Sequence, residues 1–173
     1  MRDFNLIVST YRFREEEAQD EILDILEQFG DPDSECEITE IKGLLLARTT
    51  IAPTDVVAKL KDLTSSDPWQ IRYILRVLPI QAVVATDVRS IGQASAKLAS
   101  RIGDSEKFRV TVERRHSPIT SGEIISSVAE AVQRKVDLEN PDWIVLVQVL
   151  GAQTGISVIT PQQIFSSVKE KRQ

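Results

Sequence analysis

Lys107-Phe108-Arg109-Val110-Thr111-Val112-Glu113-Arg114-Arg115-His116-Ser117 decides how the second half of this chain is read. Phe108, Val110 and Val112 alternate with charged or polar neighbours, the period-two signature of a strand with one buried and one wet face. Upstream, residues 90–101 are rich in small side chains, and Ala94, Leu98, Ala99 and Ile102 predict a short helix packed closely against another element. Downstream, Thr120 and Glu123 have capping-box spacing, and Ile124, Val128, Val132 and Val136 predict a helix running to about residue 136. Asn140-Pro141-Asp142 marks a turn before an apolar run, Trp143–Leu150, suited to the centre of a sheet. Gly151 and Gly155 then frame a tight hairpin into a last strand at Ile156, Val158 and Ile159, and residues 161–168 are expected to form a short terminal helix.

Working back from there, residues 4–8 read as a first strand, followed by a helix over about 15–29 with Ala18, Ile22, Ile25, Leu26 and Phe29 on one face. Gly30 and Pro32 stop it. Residues 36–49 predict two short strands around Lys42-Gly43, and Pro53 opens a helix whose stripe is Val56, Val57, Leu60 and Leu63. The apolar stretch 71–85 is interrupted by Pro79, which predicts either a strand with an irregular edge or two short strands separated by a kink. Strand, helix, hairpin, helix, strand is the order of a ferredoxin-like split βαβ unit. The expected class is therefore α/β (α+β). An N-terminal ferredoxin-like domain occupies residues 1–86, and a second domain with a small mixed sheet occupies 87–173, docked without a Gly/Ser-rich linker.

Charge narrows the function. The chain has 173 residues with 21 Lys and Arg against 26 Asp and Glu, net -5, which argues against nucleic acid wrapping the whole surface. The charge is unevenly placed: residues 12–40 hold two basic and twelve acidic side chains, net -10, and residues 89–116 hold seven basic and three acidic ones, net +4. One cysteine, Cys36, and one histidine, His116, cannot make the four-ligand cage of a structural zinc site. No apolar run reaches the roughly 18 residues of a membrane span, and the N-terminus turns polar by Ser9, so a soluble, cytoplasmic protein is expected.

The search for catalytic chemistry is negative. His116 is the sole histidine base, and its neighbours Arg115 and Ser117 disfavour both its charged form and a nucleophile pairing, because consecutive side chains point apart. Gly151-Ala152-Gln153-Thr154-Gly155 lacks the Lys-Ser/Thr ending of a phosphate loop and reads as a hairpin. Glu15, Glu16, Glu17, Asp20, Glu21 and Asp24 read as a solvated helix face, and Cys36, between Glu35 and Glu37, as a small, partly buried side chain. No catalytic residue, cofactor or metal is assigned. What remains is the basic stretch Lys97, Arg101, Lys107, Arg109, Arg114, Arg115 and His116, which can converge on phosphates, with free N–H groups near Thr120, Ser121 and Gly122 holding another and Arg76 extending the track. Charge alone leaves open an ordinary solvated strand edge.

The ordered set from Phe108 to Ser117, then Ile124, Val128, Val136-Asp137-Leu138, Asn140-Pro141-Asp142, Trp143 to Val149 and Gly155-Ile156-Ser157-Val158, resembles a THUMP domain. It is most similar to stand-alone THUMP proteins related to the adaptor that assists N4-acetylcytidine formation in tRNA. The resemblance covers residues 70–160 well and the first 70 loosely. It implies binding of tRNA at the acceptor region and its 3′ end, beside a ferredoxin-like module, with no catalysis by the THUMP module itself. It places Arg114 and Arg115 at the family's Arg-Arg strand end, with His116 beside them. Most relatives continue into a methyltransferase, thiouridine synthase or deaminase domain. Only a short tail follows the last strand here, so the expectation is a tRNA adaptor working with a separate RNA cytidine acetyltransferase. The competing expectation is a protein interaction module without RNA contact.

Overall fold

The structure, a computed structural model, describes residues 1–172. It divides into two units, Asp3–Ile80 together with residues 163–172, and Gln81–Gln162. Both are mixed α/β arrangements, each with its own five-stranded sheet.

The first unit runs β1 (Leu6–Ser9), α1 (Glu15–Gln28), β2 (Glu35–Ile38), β3 (Leu44–Arg48), α2 (Pro53–Ser66) and β4 (Arg76–Pro79). Its strands pair antiparallel in the order β4-β1-β3-β2, the split βαβ arrangement that the element order predicts. Ala18, Ile22, Ile25 and Leu26 of α1 recur at helical spacing and are all buried. Val56, Val57 and Leu60 of α2 meet them over Leu6, Val8, Leu45 and Val77 of the sheet in one apolar core. Gly43, at φ +76, closes the β2–β3 connection, where a Cβ would lie 2.7 Å from the Thr10 carbonyl oxygen.

The acidic block is less idle than a solvated face. Both Glu21 carboxylate oxygens accept backbone N–H groups, from Arg72 (2.8 Å), Tyr73 (3.0 Å) and Ile74 (2.8 Å). Glu15 accepts from the Gly43 N–H at 3.1 Å, the main reason its carboxyl is held below the usual value. Asp31 accepts from the Thr49 hydroxyl at 2.6 Å and the Thr50 N–H at 2.9 Å. Carboxylates thus terminate loops whose backbone donors lack ladder partners.

The second unit runs β5 (Ala82–Ala85), α3 (Val88–Leu98), β6 (Lys107–Arg115), α4 (Ser121–Ala131), β7 (Lys135–Val136), β8 (Trp143–Leu150) and β9 (Gln153–Ile159). The sheet order is β5-β9-β8-β6-β7. β6 is parallel to β7 and β8, and β9 is antiparallel to β5 and β8, so four of the five strands point the same way. Ile91 of α3 and Ile124 and Val128 of α4 cover one face, built from Phe108, Val145, Val147, Val149, Ile156 and Val158. The small residues of α3 have a clear purpose: a Cβ on Gly92 would come within 2.8 Å of the Ser127 hydroxyl oxygen on α4, and that hydroxyl donates to the Val88 carbonyl at 2.7 Å.

Two local expectations change, and a third is resolved between its two alternatives in favour of two short strands. The stretch 71–85 is two strands, β4 and β5, which join different sheets. Pro79 still pairs with Leu6, but the next ladder bond is made by the Ile80 N–H to Asn5, and the chain then leaves the sheet. The helix expected to reach residue 136 ends at Ala131, because Val132 turns extended and Lys135–Val136 pairs with Lys107 and Phe108 instead. The expected terminal helix at 161–168 is a 3-10 turn, Pro161–Gln163, then a strand β10 (Phe165–Ser166) and a short helix α5 (Ser167–Lys171). β10 pairs antiparallel with β4, Phe165 opposite Val77, and the Phe165 ring is fully buried in the first unit's core.

Candidate nucleic-acid interface

Strand alternation divides the basic residues of β6 between two faces. Lys107, Arg109 and Arg115 share one, and Arg114 lies on the other, with Val110, Val112 and the helices. The strand also separates them by length: nine residues place Lys107 and Arg115 about 26 Å apart. Two basic groups result, one at each end of β6.

At the start of β6 the charges are partnered. The Lys107 ammonium is 3.7 Å from the Asp137 carboxylate, and the Lys107 N–H donates to Asp142 at 2.9 Å. Asp137 accepts from the Asn140 and Glu139 N–H groups at 3.0 Å each, and these, with Lys107 adding to them, hold its carboxyl below the usual value. Arg109 donates to the Leu138 carbonyl at 2.8 Å. Arg101 reaches the Val158 carbonyl at 3.4 Å, and Lys97 is exposed in the last turn of α3. The turn at 137–142, read from sequence as structural, is what Lys107 and Arg109 fasten.

At the end of β6 the surroundings differ. Arg114 is exposed and forks toward the α4 entry, with Nε donating to the Ser121 hydroxyl at 2.9 Å and Nη1 to the Ile119 carbonyl at 2.8 Å. The guanidinium therefore sits against the first turn of α4, where Thr120 caps the Glu123 N–H (3.1 Å) and the N–H groups of Ser121 and Gly122, as first-turn donors, have no intrahelical acceptor. His116 follows at φ +56, exposed, and the hairpin closes beside it through the Gly151 N–H to the Arg115 carbonyl at 2.8 Å. The Ser117 hydroxyl donates to the Ile119 carbonyl at 3.0 Å, so it is committed to the loop and is not turned to His116 as a nucleophile.

Arg115 points the other way. It donates to Gln148 and to Glu113 at 3.1 Å each, and Gln148 donates back to Glu113 at 3.3 Å, closing a triangle around the buried Gln148 amide. Its role in this geometry is to satisfy Gln148. Arg76 lies on β4 in the first unit, opposite Ser9 and Ser166. One residue escaped assignment from sequence: Arg89, exposed in the first turn of α3 beside the capping Asp87, whose carboxylate accepts the Ser90 N–H at 2.7 Å. The Asp-x-x-Ser spacing was the available signal, and starting the helix at Ser90 concealed it. Both α3 and α4 thus present N-termini toward the end of the sheet where the parallel strands finish, offset by about 9 Å along the helix axis. That end of an α/β sheet is where oriented N–H donors and helix dipoles favour anions.

The sequence pattern of the THUMP domain matches residues 85–159, from the last residue of β5 to the end of β9. A THUMP domain is present. An uncharacterized protein of Methanocaldococcus jannaschii is 31% identical over 108 residues, covering 60% of this chain and 30% of its own length. Among solved structures, a Pyrococcus horikoshii Ot3 protein superimposes with a TM-score of 0.65 at 17% identity, over 91% of this chain and 55% of that one. TrmN from Thermus thermophilus gives 0.60 at 21%, over 90% and 45%. A 4-thiouridine synthetase solved as an RNA complex with bound ATP gives 0.59 at 16%, over 91% and 42%. At these identities the likeness is one of fold. The chain spans about a third to a half of the lengths of the proteins it matches.

Proposed function

We propose that the chain is a tRNA-binding adaptor that carries out no chemistry itself and presents tRNA to a separate RNA cytidine acetyltransferase for N4-acetylcytidine formation. The observation that carries the RNA-binding part is the Arg114 guanidinium held against the Thr120-capped first turn of α4, within a THUMP domain. In that reading Arg114, His116 and the Ser121 and Gly122 N–H groups hold backbone phosphates of the acceptor region near its 3′ end. Arg89 adds to the same edge. Lys97, Arg101, Lys107 and Arg109 form a second, weaker contact from the opposite end of β6, Arg115 braces the strand, and Arg76 contributes from the ferredoxin-like first module. The 4-thiouridine synthetase of similar fold was solved as a complex with RNA, which supports the ligand class. The acetyltransferase partner follows from the family resemblance of the sequence.

Titration of labelled tRNA at two salt concentrations tests the reading. Binding weakens as salt rises, and changing Arg114 and Arg115 together to Ala weakens it far more than Glu16→Ala. Binding that is absent or insensitive to salt, also with the acetyltransferase present, refutes it in favour of a protein-only module.

A further inference from the structure

In the first unit, α1 and the 3-10 turn Pro68–Gln70 enclose an open groove of about 460 Å³. Ile25 and Tyr73 form apolar wall, and Trp69 stands over it with 68% of its surface exposed, unusual for the largest apolar side chain in a chain with only 5% aromatics. The facing rim is a row of α1 carboxylates one turn apart, Glu17, Asp20, Glu21 and Asp24.

These carboxylates are not equivalent. Glu17 is paired with Arg14 at 3.0 Å, and Glu21 is held by its three backbone donors. Asp20 and Asp24 are exposed and have no hydrogen-bond or ion-pair partner among the described residues. Like charges at this spacing destabilise a helix, and Asp24 and Glu27 sit toward a C-terminus whose last turn has no basic residue to complement the dipole. A cation brought from outside removes both penalties. An exposed tryptophan beside it supplies the apolar contact on which interface affinity concentrates.

We propose that this groove docks a protein segment carrying lysine or arginine next to bulky apolar side chains, the cations meeting Asp20 and Asp24 and the apolar groups covering Trp69. Arg72, whose guanidinium lies over the Tyr73 ring, is among the described residues the one cation of the lining against four carboxylates, so the groove is net negative, a phosphate backbone is repelled and tRNA is not the occupant. The proposal goes beyond the RNA-binding reading and does not depend on it.

The probe is a capped peptide alternating arginine and leucine, titrated into Trp143→Phe protein so that emission reports Trp69 alone. Emission shifts to the blue and saturates. Asp20→Asn with Asp24→Asn weakens binding at low salt by about fivefold. Trp69→Ala, followed by anisotropy of a labelled peptide, weakens it further. Because neutralising Asp20 and Asp24 relieves repulsion, that variant melts no lower than the parent, so loss of binding does not report misfolding. Equal binding of an arginine-only peptide or of a glutamate-leucine peptide overturns the proposal, as does binding indifferent to the two aspartates. A separate tRNA titration of the Asp20/Asp24 variant shows unchanged or tighter binding, and a failure of tRNA binding leaves the peptide result standing.

Discussion

Replacing Arg114 separates the two jobs that its geometry combines. Arg114→Gln removes one positive charge from the α4 entry and the fork to Ser121 and Ile119. For folding, two exposed hydrogen bonds at about 0.5–1 kcal/mol each give a loss of about 1–2 kcal/mol. For RNA, neutralising one phosphate contributes about 0.7–0.9 to the slope of log affinity against log salt, so at about 0.1 M salt one lost contact weakens binding about five- to eightfold. Arg114→Lys keeps the charge and loses the fork, so it retains the salt slope while sharing much of the folding loss. Lys107→Gln is the internal comparison. That ammonium already has Asp137 at 3.7 Å, and its removal changes tRNA affinity by less than about twofold. The assay is fluorescence anisotropy of labelled tRNA across a salt series, with thermal unfolding of each variant in parallel. If Lys107→Gln flattens the slope as much as Arg114→Gln, or if Arg114→Lys flattens it at all, the assignment of the phosphate contact to the end of β6 is wrong.

Asp31 is held below the ordinary aspartate value chiefly by the Thr49 hydroxyl, then by the Thr50 N–H. The unfolded chain therefore takes up the proton first, and this stabilisation is complete above the ordinary aspartate value and is lost as pH falls through the lowered one. Asp31→Asn removes that acid-side decline from the curve of melting temperature against pH, and an unchanged curve counts against the contact. Cys36, pushed up to about 12 by burial and by the nearby Glu37 charge, reacts slowly with a disulfide reagent at pH 8 and promptly once the chain is denatured; rapid labelling of the folded protein contradicts this. Phe165→Ala, at a fully buried ring of β10, lowers the stability of the first unit by about 3–5 kcal/mol in urea unfolding. A loss under about 1 kcal/mol means that the returning C-terminal strand is not part of that core.

The elements that periodicity identified are those in which a repeated face meets a continuous core. Ala18, Ile22, Ile25 and Leu26 on α1, and Phe108, Val110 and Val112 on β6, were readable because each pattern persists over several turns or pleats. Where the pattern was too short it misled: Val132 and Val136 are four residues apart and mimic a helix, yet Val136 belongs to a two-residue strand. Arg114 and Arg115 are adjacent in sequence and look like a single contact there, and strand alternation sends them to opposite faces. Glu15 and Glu21 read as part of a solvated helix face because the donors they accept from, the N–H groups of Gly43 and of residues 72–74, are distant in sequence.

By itself the sequence determined the two kinds of periodicity, the caps and turns, the α/β class and the THUMP pattern of the second half. All of these rest on sterics and hydrogen bonds among residues a few positions apart. Tertiary structure alone decided that β4 and β5 part into different sheets, that β10 returns to β4, and which basic residues of β6 are tied to the 137–142 turn or to Gln148 and Glu113. Strand partners are chosen by ladder bonds and buried contacts between residues far apart in the chain, and no local pattern records which distant edge will be met.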